Sequence, residues 1–105
     1  MYELDIDYKS PGLANIYFYS EDGGICYTSE WRYTFLALGE IEAELLYCSR
    51  NDHGVISPYT LTKDEHLTCA ELVVYRAYED PEGWGYQDLE DADKDAMVER
   101  AELYR

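Results

Sequence analysis

Positive charge is what this chain has least of. Eight Lys and Arg stand against 23 Asp and Glu, a formal net charge of −15 over 105 residues. The few cations are scattered. Nonspecific binding to DNA, RNA or anionic lipid needs a dense cationic footprint, so none of these is a default partner. Cysteine is sparse and odd in number: Cys26, Cys48 and Cys69. Three thiols do not make a disulfide framework, and a reducing cytoplasm is the expectation. No basic-then-apolar start announces a secretory signal, so none is expected. No apolar run approaches the ~20 residues that span a bilayer. Repeats, low-complexity tracts and linkers are missing as well. So are catalytic signatures. Asp22-Gly23-Gly24 lacks the Lys-Ser/Thr that completes a phosphate-cradling loop. No flanking motif supports a Cys/His nucleophile. Paired carboxylates say little in so acidic a chain. The expectation is a protein that is not an enzyme and needs no cofactor.

What is present is enough to fold. Hydrophobic residues make up 47% of the chain, and 12 residues are Tyr. That composition suits one compact domain over residues 1–105 and argues against disorder. Residues 2–8 alternate strictly, with Tyr2, Leu4, Ile6 and Tyr8 against Glu3, Asp5 and Asp7. This is the pattern of a half-buried strand with an acidic outer face. Residues 14–20 read as a second strand. Glu21-Asp22-Gly23-Gly24 reads as a hairpin turn into a third strand, Ile25 to Thr28.

Residues 29–48 carry two patterns. Trp31, Thr34, Phe35, Leu38, Ile41, Leu45 and Leu46 fall on one helical face, with Ser29 as a cap. Yet Glu40, Glu42 and Glu44 alternate with Ile41, Ala43 and Leu45, which suits a strand, and Gly39 then separates two strands. The persistence of the apolar stripe favours helix. Residues 50–61 read as a loop. Thr62 and Glu65 form a capping box that opens a helix to about Tyr78, with Leu67, Ala70, Val73, Val74 and Ala77 inward. Pro81, Gly83 and Gly85 break the chain around Trp84. Residues 87–104 read as a last helix, with Leu89, Ala92, Ala96 and Leu103 inward, flanked by Met97 and Tyr104. The expected fold class is α+β: a three-stranded antiparallel meander covered by two or three helices, in a single two-layer domain.

Two metal patterns compete with plainer readings. Asp91, Asp93, Asp95 and Glu102 fall at positions 1, 3, 5 and 12 of a calcium loop. The Gly required at position 6 is Ala96 here, and the same segment is a capable helix. Cys48, His53, His66 and Cys69 contain a workable pair on a helix, but the spacing matches no zinc finger. Buried cysteines acting as small hydrophobes explain them more simply. No metal is expected.

Charge geometry carries most of the information. Asp88, Asp91, Asp95, Glu99 and Glu102 are spaced three or four apart, which places them on one helical face. The ridge runs roughly 21 Å at about 1.5 Å per residue. Like charges so placed repel by about 0.2–0.5 kcal/mol per pair, so a helix selected only for solubility would mix signs. Glu90 and Asp93 are further acids of the same segment, and Glu3, Asp5 and Asp7 make a second row on a strand. Strand acids two apart are roughly 6.6–6.8 Å apart, of the same order as the ~3.4 Å axial spacing of phosphates on one DNA strand. Tyrosine beside them supplies rigid contact area. These ten acids are the candidate partner-binding residues. A halophilic or merely very soluble protein would show a similar excess of acid.

A small, acidic, Tyr-rich chain with rows of acids at Glu3/Asp5/Asp7 and Asp88–Glu102 resembles phage and plasmid anti-defence inhibitors, among them anti-CRISPR proteins and antirestriction DNA mimics. The resemblance lies in size, charge and layout and rests on no motif. It implies a stoichiometric inhibitor of a bacterial defence nuclease complex, a CRISPR effector or restriction enzyme, whose basic nucleic-acid site it fills. It also implies host-evasion work in the bacterial cytoplasm, with no direct contact to nucleic acid or membrane. The alternative from charge alone is an acidic adaptor or immunity-type partner of a basic protein with no nucleic-acid role.

Overall fold

The structure, a computed structural model, describes residues 3–19, 25–85 and 89–103. Five strands form: Glu3–Ser10 (β1), Leu13–Tyr19 (β2), Ile25–Phe35 (β3), Ile41–Asp52 (β4) and Val55–Pro58 (β5). They make one open sheet in chain order, each pair antiparallel. Two helices follow, Lys63–Glu79 (α1) and Asp91–Glu102 (α2). The α+β class is as expected, but the meander has five strands rather than three. The expected turn at Glu21–Gly24 and the expected positions of Tyr2, Asp88 and Tyr104 lie outside the described residues.

The register of β1 on β2 sets Leu4 opposite Phe18, Ile6 opposite Ile16 and Tyr8 opposite Ala14. Ala14, Ile16 and Phe18 are buried, so this set faces the core and Asp5 and Asp7 face solvent. On β3 the same alternation buries Tyr27, Ser29, Trp31 and Tyr33.

Residues 29–48 are not a helix. Trp31, Tyr33 and Phe35 continue β3, and Ile41, Ala43 and Leu45 open β4. The pairing shifts between Glu30 and Trp31: Glu30 faces Tyr47 and Trp31 faces Leu45, so Leu46 is an extra residue. Such a bulge switches which face the next side chains take. It lets Leu45 and Cys48, three apart, both point inward. Those two inward spacings, two and then three, imitate a helical stripe, and this is why the periodicity misled. The expected loop 50–61 likewise holds the end of β4 and all of β5. His53 and Gly54 join them at φ 50 and φ 93, the left-handed pair of a tight hairpin turn. Histidine is one of the few residues besides Gly that tolerates this region.

The helices cover the inner face. The capping box at Thr62 and Glu65 forms as expected, and Cys69, Val73, Ala77 and Tyr78 bury. Leu67, expected inward, is exposed. Trp31 is fully buried at the centre. Its indole N–H donates to Ser29 Oγ at 2.9 Å, and Ser29 Oγ–H donates to the Ile16 carbonyl at 3.4 Å. The relay satisfies polar groups that burial would otherwise penalise by roughly 1–3 kcal/mol each. Trp84 packs on Tyr8 and Tyr33 at ring separations of 6.1 and 5.1 Å.

α2 docks on the β3–β4 connection and on α1. It buries Met97 and Ala101 with Tyr78, against Phe35, Ile41, Val74 and Leu89. Ala92 and Leu103, expected inward, are exposed, Leu103 by 82%. The helix is therefore rotated from the expected face, because Met97 reaches further into the core than an Ala stripe would. Gly39 makes the close approach possible. A Cβ there would stand 2.7 Å from the Ala96 carbonyl oxygen, and its φ is +78. The Gly39 carbonyl also accepts a hydrogen bond from the buried Tyr78 hydroxyl.

Gly39→Ala should therefore destabilise the fold by about 2–4 kcal/mol, backbone strain plus overpacking. Gly54→Ala, with φ +93 but nothing within 4 Å, should cost only the strain, about 1–2 kcal/mol. Urea denaturation of the two variants measures the difference; equal losses would refute the tight seat of α2.

Candidate functional site

The acids form two separate surfaces. On α2, Asp91, Asp95, Glu99 and Glu102 are all exposed and lie roughly opposite the buried Met97–Ala101 stripe. Among the described residues none of the four has an ion-pair partner. The ridge read from the sequence thus exists for its last four members, while Asp88 lies outside the described residues. Asp93 is half-buried beside the Met97–Ala101 stripe, on the side away from the ridge, and Glu90 is the N-cap residue, without a side-chain capping bond. Asp91 and Asp93 sit in the first turn and Arg100 in the last, which complements the helix dipole. Part of this acidity therefore serves the helix itself.

The second surface is the uncovered face of the sheet. Register carries Asp7 across to Asn15, Glu30 and Tyr47, and Asp5 across to Tyr17, Thr28 and Ser49. Neighbouring strands lie about 4.8 Å apart, so Asp7 and Glu30 stand about 10 Å from each other. Glu3 holds the register position opposite Tyr19. Glu42 and Glu44 continue the face on β4. Two cations sit among these acids and both are paired: Lys9 with Glu30 at 3.2 Å and Arg32 with Glu44 at 3.8 Å. Tyr19 and Tyr47 are exposed. Packing pushes the Tyr19 hydroxyl up from its ordinary 10.0, reinforced by Cys26, Asp5, Tyr17 and Asp7. It stays a hydrogen-bond donor among acceptors. Glu40 leaves the row and pairs with Arg100 of α2 at 3.5 Å.

Glu30, Tyr17, Tyr19 and Tyr47 were not among the residues singled out from sequence. For Glu30 the signal is the alternation of Cys26, Thr28, Glu30, Arg32 and Thr34 with the buried set of β3, and reading residues 29–48 as helix hid it together with Tyr47. Tyr17 and Tyr19 alternate with Ile16 and Phe18 in a stretch that does read as a strand.

The four candidate metal ligands do not converge. Cys48 of β4 and Cys69 of α1 are buried in the core, His53 sits exposed in the β4–β5 turn, and His66 lies against Trp31 at a ring separation of 5.0 Å. Among the described residues no three His, Cys, Asp or Glu gather to hold an ion. α2 takes the helical alternative at Asp91–Glu102, which excludes the calcium-loop conformation. Burial pushes the Cys48 thiol up to about 11, and that of Cys69 up to about 12 with Cys48 and Glu65 adding to it. Neither supplies a thiolate at neutral pH.

One cleft of about 230 Å³ opens between β1, β2 and the first turn of α1, lined by Leu4, Phe18, Asp64, Glu65, Thr68 and Cys69. Partial burial pushes the Glu65 carboxyl up. Hydrogen bonds from the Thr62 backbone, the Tyr59 hydroxyl and the Thr62 side chain outweigh it and hold the group below its ordinary 4.5. Both the Thr62 N–H and the Tyr59 O–H reach Oε1 at 2.9 Å.

The molecule measures 47 × 22 × 22 Å. Its net charge of −15 is thus about one per 3 Å of long axis, close to the ~3.4 Å phosphate spacing of a single DNA strand. No described helix is long and apolar enough to cross a membrane. Against known protein families, curated proteins and solved structures, the chain shows no significant match.

Two outcomes are expected. A thiol reagent should modify Cys26, which is half-exposed, before Cys48 and Cys69, followed by mass spectrometry over time; early native labelling of Cys69 would overturn the packing of α1 on the sheet. Glu65 has a depressed carboxyl, so its stabilisation is complete above pH 4.5 and fades as pH falls through its lower folded value. Glu65→Gln should then cost about 1 kcal/mol at pH 7 and progressively less in acid, measured by urea unfolding across pH. A loss independent of pH would mean the carboxylate is not what caps α1.

Proposed function

We propose that this protein is a stoichiometric inhibitor that fills the basic nucleic-acid site of a bacterial defence nuclease complex by imitating nucleic-acid charge. The observation that carries the reading is the charge density along the long axis, close to that of one DNA strand and presented by exposed carboxylates on a fixed frame. Lys and Arg in a nucleic-acid groove are arranged for anions at such spacing, and complementary fields speed encounter. Tyr17, Tyr19 and Tyr47 lie between the acids of the sheet face, where their rings add contact area that salt does not screen. The raised, buried thiols and the dispersed histidines favour a binding role over an enzymatic one. On this reading the protein works in the host cytoplasm, needs no cofactor and touches neither nucleic acid nor membrane.

The test begins with capture of the partner from lysates of bacteria that carry defence systems, identified by mass spectrometry. A competition titration with labelled guide or target nucleic acid follows, at two salt concentrations. Saturable displacement is expected, weakening moderately with salt, since screening acts over about 8 Å at physiological ionic strength. Reversal of Asp91, Asp95 and Glu99 to Lys should weaken binding about tenfold or more while changing stability by no more than about 1 kcal/mol. A ternary complex with unchanged nucleic-acid affinity would sink mimicry and leave the adaptor reading. Unchanged affinity of the triple variant would move the site from α2 to the sheet face.

A further inference from the structure

β1 is an edge strand of eight residues, and among the described residues no element pairs with its outer side. Every second backbone N–H and C=O along such an edge points outward without a ladder partner. The opposite edge, β5, has only four residues, a length that blunts strand recruitment. β1 is twice that length; a bulge between Tyr8 and Ser10 and the charges of Asp5, Asp7 and Lys9 are what guard it against another apolar strand, and the Asp5–Asp7 charges leave it open to a cationic one.

Its two faces differ in chemistry. Asp5 and Asp7 occupy the solvent face. Leu4 and Tyr8 occupy the other, 40% and 42% exposed, beside half-buried Ile6. α1 packs over β3 and β4 rather than over β1. The apolar side of the sheet is therefore only partly covered at this edge: Trp84 lies against Tyr8, and the cleft lined by Leu4, Phe18, Asp64 and Cys69 opens at the Leu4 end.

We propose that β1 is a strand-addition site for an extended segment of a basic partner in which cationic and apolar residues alternate. Main-chain hydrogen bonds extend the sheet, and alternate side chains supply selectivity. Cationic side chains meet Asp5 and Asp7 on one face. Apolar ones continue the Leu4–Ile6–Tyr8 surface on the other, and one of them enters the cleft. Charge selects this occupant over a second copy of the chain. An antiparallel pairing of two β1 strands about Ile6 sets Asp5 against Asp7 twice, and like charges directly opposite are destabilising. Lys9, the only cation on the strand, is already held by Glu30 at 3.2 Å. The inference rests on the reading above only in needing a cationic partner.

The probe is a synthetic peptide of alternating Lys and Val, compared with one of the same composition in two blocks. Amide hydrogen exchange of the full chain, read residue by residue by NMR, should slow at alternate positions of Glu3–Ser10 with the alternating peptide alone. The double variant Asp5→Lys, Asp7→Lys should bind it about tenfold more weakly and should accept an alternating Glu/Val peptide instead. Equal binding of the two Lys peptides, protection confined to α2 or spread over the surface, or an unaffected double variant would each overturn the proposal. Protection at β1 together with failed nucleic-acid competition would overturn the mimicry reading and leave strand addition standing.

Discussion

The described helices cover the sheet on one face only, and most of the molecule follows from that. A covered face must be apolar and an open one polar, so each strand alternates. On β3 the buried Tyr27, Ser29, Trp31 and Tyr33 interleave with Thr28, Glu30, Arg32 and Thr34. On β4 the rule holds only because Leu46 is spent as a bulge, which brings both Leu45 and Cys48 to the core. The open face becomes the place where acid accumulates without cost to the core. Tyrosine suits its margins, since one end of the side chain is apolar and the other wet.

A small core has to hold this charge. Trp31 fills its centre, and the relay through Ser29 to the Ile16 carbonyl lets the indole sink without an orphaned donor. α2 is attached more lightly. Met97 and Ala101 are its buried residues, and it leans on Gly39, whose missing side chain lets the helix backbone approach. The element with the most concentrated charge is thus held by close backbone packing more than by buried area. Removing apolar area yields only about 25 cal/mol per Å², so a helix that fully buries one Met and one Ala must sit tightly for the contact to be worth forming. The Glu40–Arg100 pair at 3.5 Å lies on the exposed rim, where such pairs contribute about 0–1 kcal/mol.

The two acidic surfaces suit different contacts. The α2 ridge projects charge away from the core on a regular helix and carries no described ion pair. The sheet face mixes acids with tyrosines and ends at β1, a long edge strand with which no described element pairs on its outer side and whose other face is apolar. Under the proposed function, the ridge acts at a distance and the sheet face supplies short-range contact. Strand addition at β1 would join the two sides of the sheet in one interface, since a single extended segment reads both faces of the edge.

Local patterns were legible where one period ran without interruption. The split of Leu4, Ile6 and Tyr8 from Asp5 and Asp7, the capping box of Thr62 and Glu65, and the exposed line Asp91–Asp95–Glu99–Glu102 each depend on spacing within one element, which the chain states directly. Residues 29–48 were not legible, because a bulge at Leu46 breaks the two-residue period and mimics a helical one; only pairing with β3 decides between them. The turn at His53-Gly54 and the rotation of α2 about Met97 were hidden for the same reason. They are set by what lies across the sheet or beneath the helix. The sequence by itself determined the charge, the element types with an unbroken period and the acids that must stay in water. Tertiary structure alone decided that Glu30, Tyr17 and Tyr47 share a face, and that among the described residues the outer side of β1 has no strand partner. Those facts are neighbour relations across strands, and no spacing along the chain encodes them.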